Sequence, residues 1–143
     1  MKILIMGLPG SGKTTLAEFL AKELHAVHWN ADAVRNNINT HLGFSIADRI
    51  EQARRMGWLC DQVVKSGHIA VADFVCPLEE TRAAFSADFT VWMNTIPTGR
   101  FADTNAMFLS PDKNEVDYIV KIFDAENIAK DIANIIKEKL TNV

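Results

Sequence analysis

Cysteine is scarce in this 143-residue chain, which has only Cys60 and Cys76. Two thiols exclude a disulfide framework, and their spacing matches no zinc pattern. A long apolar run is missing as well. Met1-Lys2-Ile3-Leu4-Ile5-Met6 is only a strand long before it meets glycine and proline, so it reads as neither a leader nor a membrane span. Excess positive charge is also absent: Lys plus Arg is 15 and Asp plus Glu is 18, a net charge of −3. Any polyanion site must therefore be local, and the balance disfavours nucleic acid and anionic membrane as partners. His25, His28, His41 and His68 have no Cys or carboxylate at ligand spacing, so no zinc site is expected. There is no Ser-His-Asp arrangement and no guanine-reading Asn-Lys-x-Asp. The free thiols and the lack of a leader point to a reducing cytoplasm.

What is present is ordinary globular material, 48% apolar and 23% charged, with no repeat and no linker. One domain over residues 1–143 is expected. Strand and helix patterns alternate. Residues 3–6 read as a buried strand and 14–24 as a helix with Leu16, Phe19, Leu20 and Leu24 at helical spacing. A short strand follows at 26–29. Ser45 caps a long helix to about Ser66, with Ile46, Ile50, Ala53, Cys60 and Val64 inward. Residues 68–73 form a central strand, Pro77 opens a helix to Phe85, and 89–93 form the fourth strand. Residues 95–116 are irregular and lid-like. Residues 118–122 form a fifth strand, and Asp124 caps a last helix with Ile128, Ile132, Ile135, Ile136 and Leu140 on one face. This alternation predicts a three-layer α/β/α fold around a mainly parallel five-stranded sheet. Its functional residues belong at the carboxyl ends of the strands.

At the end of the first strand stands Gly7-Leu8-Pro9-Gly10-Ser11-Gly12-Lys13-Thr14, a full match to the phosphate-binding P-loop G-x-x-x-x-G-K-[ST]. The glycines let successive backbone N–H groups turn inward on phosphate oxygens, and the following helix adds its positive end. Lys13 reaches the outer phosphates, Thr14 offers a hydroxyl to Mg²⁺, and Thr15 adds one near the α-phosphate. ATP and Mg²⁺ are the expected cofactors.

The second strand runs into Asn30-Ala31-Asp32-Ala33-Val34-Arg35. Asp32 at a strand end facing the P-loop can hold an acceptor hydroxyl, accept its proton or bind Mg²⁺ through water. Arg35, one helical turn on, can present a guanidinium to an anionic acceptor. The structural alternatives are a helix N-cap aspartate and a solvated arginine. Asp73 ends the third strand and is a second metal-side carboxylate.

From Gly7 to Arg82 the chain resembles the adenylylsulfate kinase family. The family's Asp-Gly-Asp-Asn-Val-Arg is similar to residues 30–35, with Asn30 in place of the first aspartate. Its Leu-Gly-Phe-Ser followed by Asp-Arg matches Leu42-Gly43-Phe44-Ser45 and Asp48-Arg49. Its Glu-Asn-Ile-Arg-Arg is similar to residues 51–55. Its Phe-Ile-Ser-Pro and a later arginine are similar to Phe74-Val75-Cys76-Pro77 and Arg82. These blocks cover about half of the chain. The resemblance implies transfer of the ATP γ-phosphoryl to the 3′-hydroxyl of adenosine 5′-phosphosulfate. It implies Asp32 at that hydroxyl and the metal, Arg35 and Arg49 on the phosphosulfate, Phe44 on the acceptor's adenine, Gln52 as a hydrogen-bonding partner and Phe74 lining the pocket. It also implies a homodimer, with Trp58 or the helix around Cys60 as the interface. Otherwise Phe44 is a core residue, and Arg49, Arg54 and Arg55 form a solvated face.

The family's basic lid, with its Lys-Gly-Leu-Tyr and Phe-Thr-Gly-Ile stretches, is not recognisable in this chain. Thr95–Phe108 stands there, and Arg100 is its best candidate for closing on the transferring phosphoryl group. Alternative acceptors are another metabolite, a nucleoside or a polynucleotide 5′-hydroxyl end. A nucleotide-binding regulator without turnover is the reading from a different class.

Overall fold

Every residue of β1 (Lys2–Gly7) is buried, as expected of a strand with neighbours on both edges and helices on both faces. The structure, a computed structural model, describes residues 1–142. After β1 come α1 (Lys13–Leu24), β2 (Val27–Asn30), α2 (Ala31–Asn37), α3 (Ile46–Lys65), β3 (Ala70–Phe74), α4 (Glu79–Phe85), β4 (Phe89–Met93), α5 (Ala102–Met107), β5 (Tyr118–Val120) and α6 (Ala125–Thr141). The sheet order is β2-β3-β1-β4-β5, and all four pairings are parallel. The chain turns back across β1, so a crevice opens at the carboxyl ends of β1 and β3, where ligands of open α/β sheets sit.

The pleat divides the core in two. Ile3, Ile5, Val71 and Val91 face α1 and α6, meeting Leu16, Leu20, Ile132 and Ile136. Leu4, Met6, Ala70 and Ala72 face the other layer, with Val34, Met56, Cys60 and Phe85. On that side Gly57 lets α4 approach closely, since a Cβ there would lie 2.9 Å from the Phe85 carbonyl oxygen.

Several expected boundaries move. Asn30, not Asp32, is the N-cap of α2: its Oδ1 accepts from the Ala33 N–H at 2.9 Å. Ser45 does cap α3, accepting from the Asp48 N–H at 3.1 Å. Ile46, however, is 54% exposed, and the buried stripe of α3 is Arg49, Gln52, Ala53, Met56, Gly57 and Cys60. Polar side chains take this face because it borders the crevice. Pro77 precedes α4, whose N-cap is Leu78. Residues 68 and 69 lie before β3, β5 stops at Val120, and Leu140 is exposed. The segment expected to be irregular holds α5 and a 3₁₀ turn at Lys113–Glu115.

Candidate active site

The P-loop leaves β1 through Gly7 at φ 154°, where a Cβ would lie 2.8 Å from the Met93 carbonyl oxygen. Gly12, at φ 99°, is the N-cap of α1, and the Phe123 ring lies where its Cβ would be. A side chain at either position would push the loop off its neighbours. Thr95 ties the loop to the end of β4, its hydroxyl donating to the Ser11 carbonyl at 2.7 Å. The Lys13 ammonium donates to the Leu8 carbonyl at 3.0 Å. Burial lowers its pKa to about 8; Asp73 and Asp32 oppose that shift and Arg100 adds to it. The P-loop thus carries an ammonium that lacks a full counter-charge, as a phosphate site requires.

Beside it, β2 and β3 bring together residues far apart in the chain. Asp73, 2% exposed, accepts on Oδ1 from the Thr14 hydroxyl at 2.9 Å and from Asn30 Nδ2 at 3.1 Å. Its Oδ2 accepts from His28 Nε2 at 2.5 Å. Asn30 Nδ2 also reaches the Thr14 oxygen at 3.2 Å. His28 thus has a carboxylate partner that its spacing along the chain does not show. The partner lies 45 residues away, and only the parallel register of the two strands brings it close.

Across the crevice, Arg35, Phe44 and Arg49 form one stack. The Arg35 guanidinium carbon is 4.5 Å from the Phe44 ring centroid and that of Arg49 is 5.5 Å away. Phe44 is 63% exposed, so it is not a core residue. Arg35 donates to the Gly43 carbonyl at 2.7 Å, and Arg49 Nε donates to the Phe44 carbonyl at 2.9 Å. These bonds hold the loop before α3 against both arginines. Burial, and then the nearby Arg49, lower the pKa of Arg35, the signature of cations gathered for an anion. Gln52 accepts from Asn39 at 2.8 Å and donates to the Ala31 carbonyl at 3.3 Å, tying α3 to α2. Arg54 lies on the surface, paired with Glu51, whereas Arg55 bonds Asn39 at 2.9 Å.

Residues 95–109 close over these two walls. Asn105 brackets Gly99, accepting from its N–H at 2.7 Å and donating to its carbonyl at 3.0 Å. Thr104 accepts from Arg49 at 3.4 Å, and the Asp103 carboxylate lies 3.7 Å from the same guanidinium. Arg82 holds the far end by donating to the Leu109 and Pro77 carbonyls. Arg100 is exposed, its guanidinium 5.7 Å from the Phe101 ring.

The result is one cavity of about 380 Å³. Pro9, Gly10, Gly12, Lys13, Thr14 and Thr15 line one side; Asp32, Arg35, Phe44, Arg49 and Gln52 line the other; Asp73, Phe74 and Arg100 complete it. Of the residues singled out from the sequence, Gly7 and Ser11 shape the loop from behind instead of lining it. Sequence reasoning missed His28, the donor role of Asn30, Phe123, and Asp103 with Thr104. Local spacing carries no signal for any of them, because each meets its partner through the fold. Cys76 lines the cavity at φ 51°, and burial pushes its thiol up to about 12, so it is an inert wall.

Sheet order, P-loop and facing cavity define a P-loop protein with a three-layer α/β fold. The chain belongs to the adenylylsulphate kinase family, whose model matches residues 1–97. It is 43% identical over 81 residues to an adenylyl-sulfate kinase of Oceanobacillus iheyensis, covering 53% of this chain and 41% of that one. It is 36% identical over 104 residues to an adenylyl-sulfate kinase of Shewanella sp. MR-4, covering 69% of this chain and 47% of that one. The chain thus spans under half the length of these curated relatives. Over the whole fold it is similar to the Mycobacterium tuberculosis APS kinase CysC, a structure in complex with AMPPNP and APS. The TM-score is 0.81 at 21% identity, covering 95% of this chain and 96% of that one. No helix among the described residues is long and apolar enough to cross a membrane.

Proposed function

We propose that this protein transfers the γ-phosphoryl group of ATP to the 3′-hydroxyl of adenosine 5′-phosphosulfate. The observation that carries this reading is the single cavity in which the P-loop faces Asp32 and the Arg35–Phe44–Arg49 stack. Lys13 holds the outer phosphates. Asp32, in the first turn of α2, orients the acceptor hydroxyl and takes its proton. Arg35 and Arg49 hold the phosphosulfate, and the exposed Phe44 ring stacks on the acceptor's adenine. Gln52 keeps one N–H free for the acceptor, and Phe74 closes the pocket. Arg100, near enough to Lys13 to lower its pKa, neutralises charge on the transferring group. Phe123, half-exposed beside Gly12, offers a face to the nucleotide base.

A divalent cation fits the residues present. The Thr14 hydroxyl and the Asp73 carboxylate are already in contact, Asp32 lines the same cavity, and hard oxygen donors suit Mg²⁺. When bound with ATP, Mg²⁺ supplies neutralisation of phosphate charge. Residues 1–143 act as one catalytic domain, in the cytoplasm and as a homodimer. Trp58, 56% exposed beside Ile38, suits such an interface, whereas Cys60 is fully buried and does not.

The test is ADP release with MgATP and a panel of adenosine 5′-phosphosulfate, nucleosides, small metabolites and 5′-hydroxyl oligonucleotides. Release dependent on the sulfate ester supports the reading; release only with another acceptor sinks it; ATP binding without release supports a regulator. Asp32→Asn is expected to abolish turnover and spare ATP binding. A second reading, the same transfer to a different acceptor, is favoured by one contact. The Asp103 carboxylate already lies 3.7 Å from Arg49, in a segment beyond the family match.

A further inference from the structure

Beside the P-loop, β3 carries the buried Asp73 and α2 carries Asp32, the second aspartate of the family motif. The motif begins with an aspartate where this chain has Asn30. Asn30 and Asp73 are register partners across the parallel β2–β3 pair, so the acid has an equivalent position one strand over. Two carboxylates at that pair would repel, and the amide removes the conflict. Asn30 keeps an acceptor for its helix cap, with Oδ1 at 2.9 Å from the Ala33 N–H, and turns Nδ2 on Asp73 at 3.1 Å.

A carboxylate this buried is held only if its oxygens are satisfied. Oδ1 of Asp73 takes Thr14 and Asn30, and Oδ2 takes His28 alone. His28 sits two residues before Asn30 on β2, and so on the same face of the strand, is mostly buried, and lies outside the cavity lining. Its one bond therefore acts on Asp73 and not on any ligand. With the ring removed, the carboxylate could rotate about its last torsion and lose the Thr14 contact.

We propose that this chain has exchanged the carboxylate across the β2–β3 register pair, so that Asp73 supplies it from β3 and His28 is the positioning residue the exchange requires. This rests on the reading of the P-loop face as a cation–nucleotide site. It does not depend on which acceptor is used.

The experiment reads Mn²⁺ binding in the presence of ADP, by electron paramagnetic resonance, alongside turnover and thermal melting. Asp73→Asn is expected to weaken Mn²⁺ binding by about tenfold or more, the scale on which metal-site partners act. Adding Asn30→Asp to Asp73→Asn returns the acid to the other strand and recovers most of that loss. His28→Leu weakens Mn²⁺ binding severalfold, and His28→Gln, which keeps a donor, recovers it. In the exchanged Asn30→Asp/Asp73→Asn background, His28→Leu has no effect on binding. A double variant no better than Asp73→Asn overturns the exchange. A His28→Leu effect of equal size in both backgrounds overturns the positioning role, because a merely structural residue behaves that way. Should Asp73→Asn fail to fold, the His28→Leu and His28→Gln pair in the unaltered chain decides: equal Mn²⁺ affinities overturn the proposal. Because cation binding is read directly, normal binding effects without sulfate-ester turnover would fault the acceptor assignment alone.

Discussion

At the scale of single residues, the site is a balance of burial against charge, and Lys13 shows it most clearly. Lys13 is 9% exposed, and burial lowers its pKa from 10.5 to about 8. Below about pH 8 both folded and unfolded chains carry the proton, and the folded chain bears the full cost of burying it. Between about 8 and 10.5 the unfolded chain binds the extra proton, so stability rises with pH through that window. Lys13→Met is therefore expected to stabilise the free protein at pH 7, by on the order of 2 kcal/mol, and to lose that advantage by pH 10.5. Thermal melts across pH check it. Bound phosphates supply the missing counter-charge, so ATP binding at pH 8.5 is expected to take up protons. Calorimetry in buffers of different ionisation enthalpy detects that uptake, and Lys13→Met removes it. Arg35 is held on both sides, by the Gly43 carbonyl and the Phe44 ring. Arg35→Ala is expected to raise the acceptor KM about 10- to 100-fold, the range of a lost charge-assisted contact. Lysine at that position is expected to rescue little, because it cannot reproduce a planar fork stacked on a ring.

At the scale of elements, the cavity depends on how short pieces are tied to long ones. The stretch from Thr95 to Leu109 has only one short helix, α5, to support it. Its stability comes from the Asn105 bracket on Gly99 and from Arg49 and Arg82, which belong to α3 and α4. Gly99 also sits tight on the P-loop, since a Cβ there would lie 3.0 Å from Pro9. Asn105→Ala removes two hydrogen bonds of roughly 1 kcal/mol each. Amide exchange over residues 98–108 is expected to speed up by about tenfold or more, with little change in global melting. Turnover is expected to fall with it. On α3, Ser45→Ala removes the cap on the Asp48 N–H and is expected to cost about 1 kcal/mol. This cap was legible in the sequence because an N-cap is a local matter. The buried stripe of α3 was misplaced at Ile46, because exposure there depends on how the loop before α3 meets Arg35 and Arg49. α2 and α5 are too short for periodicity to announce them.

At the scale of the whole molecule, one parallel sheet with two packed faces carries the site at its carboxyl edge. Ile132 is fully buried against the α1 side of the sheet, and Ile132→Ala is expected to cost about 2–5 kcal/mol by denaturant titration. Loss of nucleotide affinity is expected to follow stability and not precede it, since Ile132 does not line the cavity. By itself the sequence determined the P-loop, the alternation of strands and helices, and the blocks that face the P-loop. Those features reside in contiguous residues, where spacing alone sets backbone conformation. Only the tertiary structure decided that Asp73 meets Thr14, Asn30 and His28, and that Thr104 and Asp103 reach Arg49. These partners lie 43 to 59 residues apart along the chain, and strand register and helix packing, which no local pattern encodes, bring them within hydrogen-bonding or ion-pairing distance.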